Sequence, residues 1–245
     1  LTTTPTIVLF NSKFEKIKEL SERYDEKLND ALADLKKINN KCVGFKCELT
    51  KDNSPTELVD LVMDQFGSID IVVNNVGATL GILDPLCPLD DWYDLFKLIM
   101  GVAIEINNKV IPVMKKNKWG RIINMTSISV KEPLSYLALS NTIRSAVTTW
   151  AKTLANEIGS HNVTVNNILT GFFNTERINE LNSEKAKKLN IKIGEVFSAM
   201  ENLVPLKRIG DPKEFAYLVT FLASEKASYI NGTNIPIDGG LLKSL

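Results

Sequence analysis

Short continuous apolar runs alternate with longer stretches of helical periodicity along most of this chain. At 69–75 the run IDIVVNN is rich in β-branched residues and is stopped by two asparagines. RIINMTS at 121–127 and VTVNNIL at 163–169 read the same way, as strands buried on both faces. Long helical stretches at 92–117 and 137–158 lie between these strands, and TNIPID at 233–238 is a last strand that Pro236 places at an edge or a strand end. The alternation predicts an α/β fold, a parallel sheet doubly wound with helices on both faces. No repeat, low-complexity tract or linker interrupts it, so residues 1–245 are expected to form one domain. Segment 175–204 is charged and helical and follows a strand end. In doubly wound folds ligands bind outside the carboxyl ends of the strands, so this excursion is placed to act as a substrate lid. A solvated helical insertion with no lid role fits the same pattern.

Composition narrows the function classes. The 29 basic residues balance 29 acidic ones, which gives no pull toward nucleic acid or an anionic membrane and leaves small molecules or proteins as partners. Cys42, Cys47 and Cys87 are scattered, without a C-x-x-C pair, and His161 is the only histidine, in the loop-like GSHNVT. This pattern points to a reducing compartment and to no structural zinc. No run reaches the ~20 apolar residues of a spanning helix and the N-terminus does not read as a signal peptide, so a cytoplasmic location is expected.

Taken together, NNVG at 74–77, GRIINMTS at 120–127, VTVNNILTGFFNT at 163–175 and the stretch from PLKRIGDP to IPIDGG at 205–240 resemble the short-chain dehydrogenase/reductase family. The resemblance covers roughly residues 23–245, in order and in register. It implies a Rossmann-type sheet, NAD or NADP as cofactor, and hydride transfer between the nicotinamide and a small carbonyl or alcohol. On the cofactor's adenine side it implies Glu48, with Leu49 next to it, and Asn75, Val76 and Gly77, where the glycine admits a close backbone approach. On the nicotinamide side it implies Gly171 and Thr175. Thr170 stands where the family usually has proline, a mild departure.

The proton-transfer machinery departs further. The family's serine falls on Ser127, but its tyrosine falls on Ser140, its lysine on Arg144, and the asparagine of its first long helix on Ile99. A serine hydroxyl is a far poorer proton donor than a phenol of pKa ~10 that a cation can draw down. Arg144 keeps the charge, so it can bind ribose hydroxyls or stabilise an oxyanion, yet it does not act as a proton reservoir. Tyr136 is one helical turn before Ser140 and shares a face with Ser140 and Arg144 if the helix extends that far back; a loop tyrosine packing over the strand ends is the other reading. The S-N-x-x-R pattern resembles a divergent branch of the family.

The N-terminal part raises a separate question, because the first glycine of the chain is Gly44. The family's glycine loop, which offers backbone N–H groups to the pyrophosphate, has no counterpart before it. The first strand-helix unit is therefore expected to be absent or rebuilt, and dinucleotide binding to be weak. Two registers fit the residues. In one, SERYDEKL resembles the stretch after the family's second strand and Arg23 takes the position that reads the 2′-phosphate, which leans toward NADP. In the other, TIVLF at 6–10 is a strand followed by a single helix over 14–38, with an insertion of about ten residues.

Two function classes emerge. The first is an NAD(P)-dependent oxidoreductase in which Ser127 and Arg144 polarise the substrate oxygen and Tyr136, Ser140 or water delivers the proton. The second is a catalytically silent binding or oligomerisation module with this fold. Helices 92–117 and 137–158 match those through which the family forms tetramers or dimers, so a homo-oligomer is expected in either case.

Overall fold

The computed structural model describes residues 8–11, 18–76 and 84–244. Four strands, β3 (Ile71–Asn74), β4 (Gly120–Ser127), β5 (Val163–Thr170) and β6 (Asn234–Ile237), form an all-parallel sheet in that spatial order. Each lies within two residues at either end of the span expected from its apolar run. β4 and β5 are buried along almost their whole length, as continuous apolar runs in a doubly covered parallel sheet require. Two further strands, β1 (Val8–Asn11) and β2 (Val43–Lys46), pair in parallel with each other. Phe45 of β2 nevertheless packs on the same apolar cluster as Val72 of β3, Val110, Ile122 and Val165.

Between β1 and β2 runs one helix, α1 (Lys18–Ile38), which passes without a break through SERYDEKL. Arg23 lies in the second turn of α1. Residues 12–17, where the alternative helix was expected to start, lie outside the described residues.

Helix α2 (Ser54–Phe66) starts with Pro55 in its first turn and stops at Gly67, whose φ of +78° is a left-handed conformation that suits glycine. The expected helix 92–117 is split: α3 (Leu89–Phe96) and α4 (Val102–Asn117) are joined by a π-helical turn, Lys97–Gly101. Helix α5 (Ala138–Ile158) packs on β5 and β4. Segment 175–204 contains two helices, α6 (Glu176–Leu189) and α7 (Ile193–Leu203), packed on each other. Helix α8 (Pro212–Ala223) covers β4 with Leu222, fully buried among Ile123 and Ile168. Burying side chains of this size contributes about 1.5–3 kcal/mol each.

The start of α8 is capped electrostatically. Glu214 accepts two hydrogen bonds from Arg208 at 2.7 Å each and one from the Asp211 N–H at 2.8 Å, which pull its carboxyl down to about 2. The folded value is depressed below the ordinary 4.5, so this contribution is complete above that pH and fades as pH falls toward about 2. In an acid titration followed by circular dichroism, Glu214→Gln is expected to flatten that limb. A titration identical to the parent's would remove the assignment.

An asparagine ladder crosses the sheet. Asn74, Asn124, Asn167 and Asn234 are register partners on successive strands, and each amide donates to the next carbonyl oxygen at 2.8, 2.9 and 2.8 Å. Parallel strands ~4.8 Å apart bring identical residues of matched register within reach of one another, and every buried amide here finds a partner. The ladder locks the relative register of the strands at the end of β3 and three residues before the ends of β4, β5 and β6.

Candidate functional site

The carboxyl ends of β4 and β5 and the N-terminal half of α5 meet to form the site. Ser127 ends β4 in extended conformation, and its Oγ accepts the Ser129 N–H at 3.1 Å, capping a short 3₁₀ turn. This contact uses a lone pair and leaves the hydroxyl proton available to a ligand. One face of α5 then supplies Ser140 and Arg144, one turn apart. Arg144 Nε donates to Ser140 Oγ at 3.2 Å and Nη1 donates to the Met125 carbonyl at 3.1 Å. The guanidinium is thereby tethered to β4 two residues before Ser127. Burial lowers its pKa from the ordinary value. A guanidinium still keeps its proton, and among the described residues no carboxylate forms an ion pair with it.

Ser140 is 5 % exposed, beneath the guanidinium and bonded to it. It thereby supports Arg144, with its own hydroxyl proton not used in that bond. Tyr136 sits in a turn before α5 begins at Ala138, and its ring is half exposed. The condition for a shared helical face is therefore not met: the chain turns at Leu137, whose φ of −132° and ψ of 35° are not helical.

Ile99 lies in the π-helical turn, buried against α5 through Leu139, Ile143 and Val147. The π-helical turn forms here without an asparagine side chain. Ile99, Ala103, Asn74, Val76, Asn124, Met125 and Val147 enclose a cavity of about 10 Å³, room for about one water beside the end of the asparagine ladder.

The adenine-side candidates fall at the ends of β2 and β3. Glu48 is half-buried and accepts the Thr50 hydroxyl at 2.7 Å. Leu49 turns inward, 1 % exposed in the core, so that only its backbone is available to a ligand. Next to them, burial pushes the Cys47 thiol up to about 11, with the Glu48 charge adding to the effect; this keeps it a protonated, unreactive thiol. Asn75 is exposed and Val76 half-buried after β3, whereas Gly77 lies outside the described residues.

On the nicotinamide side, Gly171 follows β5, and a Cβ there would meet the Asp238 backbone Cα at 2.7 Å, so glycine is required by a chain crossing. Thr175 caps α6, its Oγ1 accepting the Ile178 N–H at 3.3 Å. The structure thus brings Ser127, Ser140, Arg144 and Gly171 to one sheet edge.

A family model described as Enoyl-(Acyl carrier protein) reductase matches residues 20–242. The chain belongs to the short-chain dehydrogenase/reductase family. Among curated members of this family of NAD(P)-dependent oxidoreductases, the 3-oxoacyl-[acyl-carrier-protein] reductase FabG of Vibrio cholerae is 31% identical over 198 residues, 81% of this chain and 77% of that protein. The NADPH-dependent reductase BacG of Bacillus subtilis is 29% identical over 198 residues, 81% of this chain and 76% of its own length. Among solved structures, L-sorbose reductase from Gluconobacter frateurii, complexed with NADPH and L-sorbose, superposes with a TM-score of 0.88 at 26% identity, covering 98% of this chain and 88% of that one.

Glu132 and Asp238 are the polar groups beside this site that sequence reasoning missed. Asp238 bonds locally, to the Leu242 N–H, whereas the hydrogen bonds of Glu132 join segments far apart in the chain. The KEP run around Glu132 was visible in the sequence, but its partner was not.

Proposed function

We propose that this short-chain dehydrogenase/reductase is an NAD(P)-dependent oxidoreductase acting on a small carbonyl or alcohol. The observation that carries the reading is the Arg144 guanidinium, a half-buried cation without a carboxylate partner among the described residues, tethered to β4 two residues before Ser127 at its carboxyl end. A buried charge is unfavourable until something pairs with it, and a substrate oxygen that gains negative charge is such a partner. The nicotinamide, when bound, supplies or accepts the hydride. Ser127 donates a hydrogen bond to the substrate oxygen, and Arg144 stabilises the charge that develops on it. The proton comes from water, from the exposed Tyr136 or from Ser140, whose hydroxyl accepts from Arg144 and keeps its own proton.

For the dinucleotide, Gly171 and Thr175 suit the nicotinamide end and Glu48, Asn75 and Val76 the adenine end. NADP is favoured over NAD by the NADPH dependence of BacG and the NADPH bound to L-sorbose reductase; the NAD⁺-bound xylitol dehydrogenase structure, 25% identical with a TM-score of 0.82, keeps NAD as the other choice. Helices α6 and α7 act as the substrate lid of a single-domain protein. Self-association uses α3, where Leu89, Tyr93 and Phe96 leave an apolar stripe at i, i+4 and i+7 exposed to 62%, 61% and 44%. A sedimentation mass of one subunit would exclude that association.

Titration of NADPH and NADH by nicotinamide fluorescence up to millimolar concentration, followed by a panel of carbonyl substrates, tests the whole reading. Binding with turnover is expected. Absence of both would favour the silent module. Tyr136→Phe is expected to change the rate less than about threefold if water delivers the proton, and by 10²-fold or more if the phenol does.

A further inference from the structure

Beyond β6 the chain makes a tightly bonded crossing. Asp238 Oδ1 accepts the Gly240 N–H at 2.9 Å and Oδ2 accepts the Leu242 N–H at 2.7 Å, which folds the segment back on itself. Gly239 and Gly240 adopt φ of +66° and +86°, conformations that favour glycine and let this fold form. The segment then makes contacts on two sides. On the lid side, the Gly239 carbonyl accepts the Leu206 N–H at 3.2 Å, and a Cβ at Gly239 would meet Val204 at 2.6 Å, at the end of α7. On the other side, one oxygen of Glu132 accepts the N–H groups of both Lys243 and Ser244 at 2.7 Å.

Glu132 belongs to the connection between β4 and α5, between Ser127 and Tyr136. Strand order places β5, with Gly171, between β4 and β6, so a segment running from β6 to this connection passes the site-bearing end of β5. The crossing at Asp238 is the one that keeps Gly171 free of a side chain. Two charge-assisted bonds from consecutive backbone N–H groups to one carboxylate hold the far end more firmly than neutral acceptors would.

We propose that residues 238–244 form a strap that ties the lid to the β4–α5 connection and sets the width of the substrate cleft, with Glu132 as the positioning residue that latches it. The role rests on the oxidoreductase reading above. Glu132 touches no reacting atom; it acts by fixing where Leu241 and Leu242, both half-buried, are held. Substrate size beyond the reacting carbonyl is what such a strap selects.

The test compares Glu132→Ala and Glu132→Gln with the parent by amide hydrogen exchange and by steady-state kinetics on carbonyl substrates of increasing bulk. Alanine is expected to lower the protection of the Lys243 and Ser244 amides about tenfold or more, and to raise KM for the preferred substrate about tenfold with kcat changed less than about twofold. Glutamine, which keeps an acceptor oxygen without the charge, is expected to fall between the two. Dinucleotide affinity should stay at the parental value in both. Unchanged protection would show that there is no latch. Lost protection with an unchanged KM for every substrate would show a latch that leaves the cleft alone, and would overturn the proposal. A parent protein without turnover sinks the oxidoreductase reading and the substrate role together, and the exchange data then decide the latch by themselves.

Discussion

Arg144→Ala is expected to lower kcat by about 10²–10³-fold, the loss typical of removing one preorganised donor from a developing oxyanion. The same substitution should change stability by less than about 1 kcal/mol. Two effects oppose each other: the hydrogen bonds to Ser140 Oγ and the Met125 carbonyl are lost, while a half-buried cation with no carboxylate partner among the described residues is removed. Each hydrogen bond contributes on the order of 1 kcal/mol, and relief of the buried charge is of similar size. Arg144→Lys separates charge from shape, since one ammonium does not reproduce the planar fork that reaches both Ser140 and Met125. Turnover in the lysine variant is expected to lie between parent and alanine variant. Single-turnover kinetics with saturating NADPH, alongside urea unfolding, checks both statements. A kcat for Arg144→Ala equal to the parent's would remove Arg144 from the chemistry.

The largest structural effect is expected at Asn124, which is buried in the middle of the ladder, accepts from Asn74 and donates to Asn167. Alanine there removes two hydrogen bonds and leaves a buried acceptor on Asn167 and a donor on Asn74 unsatisfied. At about 1–3 kcal/mol for each such group, the loss should reach about 2–4 kcal/mol. Asn74→Ala, at the end of the ladder, orphans only one oxygen, that of Asn124, and should cost about 1–2 kcal/mol. Urea midpoints with a constant m-value give the comparison. Equal losses at the two positions would mean that the ladder is not acting as a connected unit.

The asparagines also show how far a local reading reaches. Asn74 and Asn75 read as the stop of a strand, which is correct for the strand, but the side chain of Asn74 proves to be a link to β4. Nothing in a single run of residues states that four asparagines from four runs will share one register. The π-helical turn at Lys97–Gly101 was similarly hidden, because its apolar residues continue the helical pattern on both sides. In α1 the apolar spacing across 14–38 called for one helix, and the described part, Lys18–Ile38, is one helix.

Read alone, the residues determined the parallel α/β architecture, four strands of the main sheet to within two residues, the charged helical segment 175–204 and the departures at Ser140, Arg144 and Ile99. These follow from periodicity and residue type, which act over one or two turns of chain. Tertiary structure alone decided that Ser140 supports Arg144, that Tyr136 stands outside the helix, and that Glu132 meets residues 243 and 244, more than a hundred positions away. Such contacts depend on how strand ends and loops are brought together in space, and a hydrogen bond of 2.7 Å carries no mark in the sequence of the distance it closes along the chain.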